Sequence, residues 1–221
     1  MNIIVGAQTG LGKIIYDLRS NDYRSFEGDI RDRHDIDHFV ATQPGLVHNL
    51  IYTAGVNRIN EFDKQTHEDF WDSMHVNCWG FIKLIQALRE LSFFNIDAVA
   101  CLVTSNAANV PMRHSLSYNC SKAAANMAVK QMAREIHPSQ LTIFGVAPNK
   151  LAGTPMSTMI EEKVCAMRGW TPEEAHQYQV DALPARKETD PTALAHFILE
   201  MMDRTYHPYI HGNILPFGGP V

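Results

Sequence analysis

At 221 residues, with 45% hydrophobic and 19% charged side chains, the chain is sized for one domain that buries about 70–75% of its unfolded surface, so its core needs neither disulfides nor a structural metal. Nineteen Lys and Arg against 24 Asp and Glu give a net charge of −5, which argues against a duplex-binding surface. No run of about 18 apolar residues offers a membrane span. The four cysteines, Cys78, Cys101, Cys120 and Cys165, stand singly, and the opening MNIIVGAQTG lacks a signal-peptide pattern; reduced thiols in a cytoplasm are expected.

Along the chain, short apolar runs alternate with amphipathic stretches. Asn2–Val5 reads as a strand ending in glycines, and Leu11–Arg19 as a helix with Ile14, Ile15 and Leu18 on one side. The stretch Arg19–Asp32 has room for one strand near Tyr23–Phe26. Gly45–Tyr52 reads as a strand, Glu68–Leu91 as one long helix, Asp97–Thr104 as a strand and Ser117–Ile136 as a helix rich in Ala and Met. Leu141–Val146 reads as a strand closed by Pro148. Ser157–Leu183 is helical, Pro191–Asp203 is another helix, and Gly212–Phe217 a last strand. Strands alternating with helices of this length predict βαβ units and a mostly parallel α/β sheet.

Gly6-Ala7-Gln8-Thr9-Gly10-Leu11-Gly12 lies between the first strand and the first helix. Glycines there let the backbone turn tightly and approach a pyrophosphate, and the helix N-terminus offers free N–H groups to it. In the following segment Glu27 and Asp22 are candidates for a ribose hydroxyl and Arg24 for a 2′-phosphate, against a bland reading as solvated turn charges.

Tyr118 and Lys122 stand four residues apart on a predicted helix and share one side of it; Ser105 comes 13 residues before the tyrosine, just past a strand. A phenol with an ordinary pKa near 10 is a poor base at neutral pH. An ammonium within about 4–6 Å lowers it by roughly 1–3 pH units, and a serine hydroxyl can hold the same substrate oxygen. His114 is a candidate for the substrate mouth. Among eleven histidines, His34 and His38 have i,i+4 spacing with Asp35 and Asp37 beside them, and no third ligand accompanies them; no metal site is expected.

Taken in order, these residues resemble the short-chain dehydrogenase/reductase family in its compact form. Gly6, Gly10 and Gly12 resemble its TGxxxGxG loop, with Val5 in place of threonine. Asp29-Ile30 resembles its acidic-aliphatic adenine pair, Thr53-Ala54-Gly55 its NAG segment, and Asn77 its helix asparagine. Ser105 and Tyr118-xxx-Lys122 match its catalytic serine and YxxxK. Pro148-Asn149 resembles its PG turn with asparagine for glycine, and Thr154-Pro155-Met156 its TPM. Leu183-Pro184-Ala185-Arg186, Asp190-Pro191, His211-Gly212-Asn213 and Gly218-Gly219 resemble its closing segments.

The resemblance implies a single Rossmann-like, doubly wound parallel sheet flanked by helices over 1–221. The second-strand region would be shortened, and a substrate lid would cover about 153–183. It implies an NAD(P)-dependent oxidoreductase acting on a carbonyl or alcohol, with NAD(H) or NADP(H) left open. Tyr118 would be the general acid or base, with Lys122 depressing its pKa, Ser105 orienting the substrate oxygen and Asn77 binding a water. Cofactor contacts would come from Gly6, Gln8, Thr9, Gly10, Leu11, Gly12, Asp29, Ile30, Thr53, Ala54, Gly55, Tyr118, Lys122, Pro148, Leu151 and Thr154. Substrate contacts would come from Ala107, His114 and Met156. Met156, Met159, Ile160, Val164 and Met167 would give the lid an adaptable apolar face. A homodimer or homotetramer, no nucleic acid and no membrane complete the expectation. Two other readings stay open: a catalytically silent nucleotide-binding or scaffold protein on the same fold, and a sugar-nucleotide epimerase or dehydratase, whose relatives carry a larger C-terminal domain.

Overall fold

The computed structural model describes residues 1–219; the last two residues of the expected domain 1–221 lie outside the described residues. Six parallel strands form one sheet in the order β2-β1-β3-β4-β5-β6: β1 (Asn2–Val5), β2 (Tyr23–Ser25), β3 (Val47–Tyr52), β4 (Phe94–Val103), β5 (Leu141–Pro148) and β6 (Ile214–Phe217). Each strand alternates its side chains between two apolar layers. Ile3, Val5, Leu50, Tyr52, Ala100, Leu102 and Ile143 face a core shared with Phe39, Phe81, Leu84, Leu88, Ala125 and Val129. Those partners come from α2 (Arg33–Ala41), α4 (Gly80–Glu90) and α5 (Leu116–Glu135). Ile4, Ile51, Val99, Cys101, Phe144 and Val146 face the other core with Leu11, Ile15, Leu194 and Ile198, from α1 (Gly10–Leu18) and α8 (Pro191–Met201). The remaining helices are α3 (His67–Met74), α6 (Pro155–Arg168), α7 (Pro172–Asp181) and the short α9 (His207–Ile210).

β1 lies between β2 and β3, so the chain winds one way from β1 to β2 and the other way from β3 onward. That reversal opens a crevice at the carboxyl ends of β1 and β3, where open α/β sheets bind ligands. One strand, β2, fills the short segment after α1, as the available length predicts.

Two elements differ from the sequence expectation. Glu68–Leu91 is not one regular helix: a π-turn at His75–Trp79 separates α3 from α4. Widening the backbone spiral there leaves the hydrophobic period almost unchanged, so the sequence reads through it. β4 begins at Phe94, three residues before Asp97, and crosses Asp97 at φ 62°. All four cysteines are free thiols, and no helix among the described residues is long and apolar enough to cross a membrane.

Candidate active site

The glycine loop turns from β1 into α1 with Gly6 at φ 89° and Gly10 at φ 55°. A Cβ on Gly12 would lie 2.1 Å from the Gly6 carbonyl oxygen and 2.3 Å from Thr53 Oγ1, so helix and strand meet there at a separation only glycine permits. Thr53 locks the contact from β3, its hydroxyl donating to the Val5 carbonyl at 2.8 Å. Thr9 precedes α1 without a side-chain cap, and its carbonyl accepts only from Lys13 N at 3.2 Å. The first N–H groups of α1 are therefore left to an external acceptor. Gln8 Nε2 donates to Phe26 O at 3.3 Å and holds the loop to the end of β2. Thr154 caps α6, and its Cβ lies 4.0 Å from where a Cβ on Gly10 would be; the start of the expected lid thus rests on the glycine loop. Pro148 ends β5, and Leu151 bridges to Thr189 at the lid's base.

A cavity of about 370 Å³ continues from this loop, lined by Gly6, Gln8, Phe26, Asp29, Ile30, Ala54 and Arg58 among others. Asp29 does not present a bare carboxylate to it. Arg31 grips that carboxylate through Nε at 2.9 and 3.0 Å and Nη2 at 2.6 Å, which holds the Asp29 carboxyl below its ordinary range. Arg31 also reaches Asp72 at 2.6 Å, and Arg58 Nε reaches the other Asp72 oxygen at 2.7 Å. Burial pushes the Asp72 carboxyl up, but the two guanidiniums outweigh it. This Asp29–Arg31–Asp72–Arg58 chain was not legible in the sequence, because its members come from a loop, α3 and the segment after β3. It also walls a second cavity of about 630 Å³ beside Trp71 and His75.

The polar residues weighed at the second strand as ribose or 2′-phosphate contacts take different places. Asp22 precedes β2 and so stands at its amino end, away from the crevice. Arg24 donates to the Thr42 carbonyl at 2.9 Å and stacks over the Phe39 ring at 5.2 Å, which commits it to the end of α2 rather than to a phosphate. Glu27 follows β2 and is exposed.

The structure brings Asn77, Ser105, Tyr118 and Lys122 together beside the crevice, all buried. A Cβ on Gly55 would sit 3.4 Å from Asn77 Oδ1, 3.7 Å from Lys122 Nζ and 3.9 Å from Met156 Cε, so β3's exit, the π-turn, α5 and the lid converge on that glycine. Asn77 Oδ1 accepts from Val56 N at 2.8 Å, and its Nδ2 donates to Val56 O at 2.9 Å and Ser121 Oγ at 2.8 Å. The π-turn is thereby pinned to both the β3 exit and α5. Lys122 Nζ donates to Val103 O at 3.0 Å and lies 5.6 Å from the Tyr118 ring centre. Ser105 Oγ accepts from Ala107 N at 3.2 Å.

The expected depression of the Tyr118 pKa by Lys122 is not what this structure has. Burial pushes the phenol above its ordinary value, with the Ser105 hydroxyl pulling the other way. The same burial brings the Lys122 ammonium down to about 8, partly opposed by the Cys78 thiol. Desolvation weighs on both charged forms, and the ammonium's hydrogen bond goes to a carbonyl.

Of the expected substrate residues, Ala107 is buried behind Ser105. His114 is half-buried at φ 66°, its carbonyl accepting from Asn60 N at 3.0 Å. Burial and the nearby Arg168 and Arg113 lower its imidazole pKa. Met156 reaches the Gly55 junction, Val164 is buried, and Met159, Ile160 and Met167 are half-buried. His34 and His38 stack at 6.5 Å on an exposed face. Among the described residues, Glu161, His176 and Glu188 converge within 4.8 Å, but the Lys150 ammonium pairs with both carboxylates. Sequence spacing gave no sign of this cluster at the lid's base.

The family model for short chain dehydrogenases matches residues 3–164, which span the glycine loop, Ser105, Tyr118 and Lys122. The chain is 26% identical over 181 residues to the 7α-hydroxysteroid dehydrogenase of Escherichia coli strain K12, covering 82% of this chain and 66% of that protein's length. Among solved structures, the actinorhodin polyketide ketoreductase with NADPH superposes at a TM-score of 0.86 and 18% identity, covering 99% of this chain and 95% of that one. A 7α-hydroxysteroid dehydrogenase complexed with NADH and 7-oxo glycochenodeoxycholic acid superposes at 0.81 and 22% identity, covering 99% and 92%. At these identities the superpositions speak to the fold. With the family match and the fold in agreement, the chain belongs to the short-chain dehydrogenase/reductase family.

Proposed function

We propose that this chain is an NAD(P)-dependent oxidoreductase that interconverts a small-molecule carbonyl and its alcohol, with Tyr118 as general acid and base. The observation that carries the reading is the convergence of Tyr118, Ser105, Lys122 and Asn77 next to a glycine cradle that a single Cβ would fill. The residues present suit a dinucleotide. Free N–H groups at the start of α1 face the pyrophosphate position, and the cavity along Gly6, Phe26, Asp29 and Ile30 suits the adenosine half. Two of the structural neighbours carry NADPH or NADH.

The nicotinamide, when bound, supplies or takes the hydride. The chain's own residues manage the rest. Ser105 holds the substrate oxygen, and the Tyr118 hydroxyl gives it a proton in reduction or removes one in oxidation. The buried Lys122 ammonium, fixed by Val103 O beside Tyr118, would hold the nicotinamide ribose. Asn77 keeps Val56 and Ser121 in register, so that the β3 exit and α5 stay at the spacing the transfer requires. Residues 153–183 act as the substrate lid, with Met156 reaching the Gly55 junction beside Asn77 and Lys122. Its apolar face favours a substrate with hydrophobic area.

A panel of ketones and secondary alcohols, followed by nicotinamide absorbance with NADH and NADPH, tests this. Turnover that falls about 10²–10⁴-fold in Tyr118→Phe, with cofactor affinity kept, supports the reading. Equal turnover in that variant refutes the role of Tyr118.

A further inference from the structure

The first lid helix ends in a cation that no carboxylate among the described residues neutralises. Arg168 is the last residue of α6, half-buried, and Gly169 caps the helix behind it at φ 67°. That cap sets Trp170 against the guanidinium, whose central carbon stands 4.4 Å from the Trp170 ring centre and 4.7 Å from that of Tyr178 on α7. The two rings meet edge to face at 5.1 Å. Stacking occupies the flat faces of a guanidinium and leaves its N–H donors pointing outward in its own plane. Among the described residues, those donors meet neither a carboxylate nor another acceptor, and the ring contacts are what holds the group. A cation braced in this way has given up much of its side-chain freedom before any ligand arrives, so it captures an anion at a lower entropic cost.

The cation stands on the substrate side of the crevice. α6 starts with Met156 at the Gly55 junction and passes Lys163, which shares a cavity wall with Ile59 and Asn60. Asn60 N donates to the His114 carbonyl at 3.0 Å, so the later half of α6 lies across from the loop that enters α5. His114 comes four residues before Tyr118. Arg168 and Arg113 are near enough for their charges to add to burial in lowering the His114 imidazole pKa. His114 is then a neutral hydrogen-bonding group at pH 7. Of the charges acting on it, only Glu61 is negative, and Lys64 already holds that carboxylate at 3.0 Å. In a chain of net charge −5, this mouth is locally positive.

We propose that Arg168, braced by Trp170 and Tyr178, receives an anionic group, carboxylate or phosphate, at the end of the substrate remote from its carbonyl. Arg113 adds attraction, and His114 lines the path between this anchor and Tyr118. Binding energy from the remote anion places the carbonyl against Tyr118 and Ser105. The lid thus selects by charge at one end of the substrate and by apolar area along the rest.

The substrate class rests on the proposed oxidoreductase reading; the occupancy of Arg168 does not. Methyl ketones that carry a terminal carboxylate, at rising chain length, are compared with their methyl esters and with the matching alkyl phosphates. A charge-assisted contact predicts that the best anion exceeds the ester about 10- to 100-fold in kcat/KM, mostly through KM, and the better of the two anions names the group. Arg168→Met should bring the anion-to-ester ratio to near one, a readout that general damage to the lid would not move. A preference that survives in Arg168→Met, or esters used as well as both anions by the wild-type chain, overturns the proposal. Independently of turnover, the Arg168 Nε–H resonance, followed by nitrogen-15 NMR in the free protein, should shift on addition of the carboxylate or the phosphate and stay in place with the ester. No shift with either anion also overturns the proposal. A shift without turnover of any of the compounds would count against the oxidoreductase reading and leave the anion site standing.

Discussion

The Lys122 ammonium is the group whose burial most burdens the folded state, and replacing it separates stability from chemistry. It lies at 3% exposure with a pKa brought from 10.5 to about 8 by desolvation. At about 1.4 kcal/mol per pH unit, charging it at pH 7 costs the fold roughly 3 kcal/mol. Its hydrogen bond to Val103 O returns about 1–2 kcal/mol. Lys122→Met keeps the stem's bulk and removes the charge, so it should raise the unfolding free energy at pH 7 by about 1–2 kcal/mol while abolishing turnover. The sign of the pH dependence follows from the lowered pKa. Between about pH 8 and 10.5 the unfolded lysine binds a proton that the folded one has lost, so wild-type stability rises with pH relative to the variant. Urea unfolding at pH 7 and pH 10 should show wild type gaining roughly 2–3 kcal/mol on Lys122→Met, closing or reversing the gap. A variant less stable than wild type at pH 7, or a gap that does not change with pH, would refute the reasoning.

Gly12→Ala drives a methyl into the Gly6 carbonyl and Thr53, and backbone cannot yield as a side-chain end would. It should cost about 1–3 kcal/mol, lower Tm by roughly 3–10 °C at this chain length in a thermal scan, and weaken nicotinamide binding. Tyr52→Phe removes the 2.6 Å bond from the buried hydroxyl to Val76 O inside the π-turn; a loss of about 1 kcal/mol in urea unfolding should come with reduced turnover, since Asn77 is the next residue. At the lid's base, burial raises the Glu161 carboxyl but Lys150 and His176 outweigh it and hold it below 4.5. Its contribution to lid closure is thus present above that pH and fades as pH falls through the lowered value. Limited proteolysis should find 153–183 protected at pH 6, cut more readily as the pH falls below the ordinary carboxylate range, and cut more readily at pH 6 in Glu161→Gln.

The architecture was largely readable because it rests on periodicity and on punctuation by glycine and proline. Asn2–Val5 followed by Gly6, Gly10 and Gly12 could only be a strand turning into a helix, and Tyr118 with Lys122 had to share a helix face. What was hidden depends on distance through space. The π-turn at His75–Trp79 alters backbone hydrogen bonds without altering the apolar pattern. Arg31, Arg58 and Asp72 find one another across elements, which also explains why Asp29 is less available than its sequence suggests. The raised Tyr118 pKa reflects how completely the fold removes water from α5, which no residue spacing encodes. Asn149 reads in the sequence only as an asparagine where the turn has glycine, because the Gly218 carbonyl and the Asn106 amide that it joins come from distant segments.

The most direct measurement is a fluorescence titration of the purified chain with NADH and, separately, NADPH, with Gly12→Ala alongside. Saturable binding of at least one dinucleotide, weakened in the variant, is the predicted result. Binding of neither by the wild-type chain would contradict the assignment of a nicotinamide-dependent oxidoreductase.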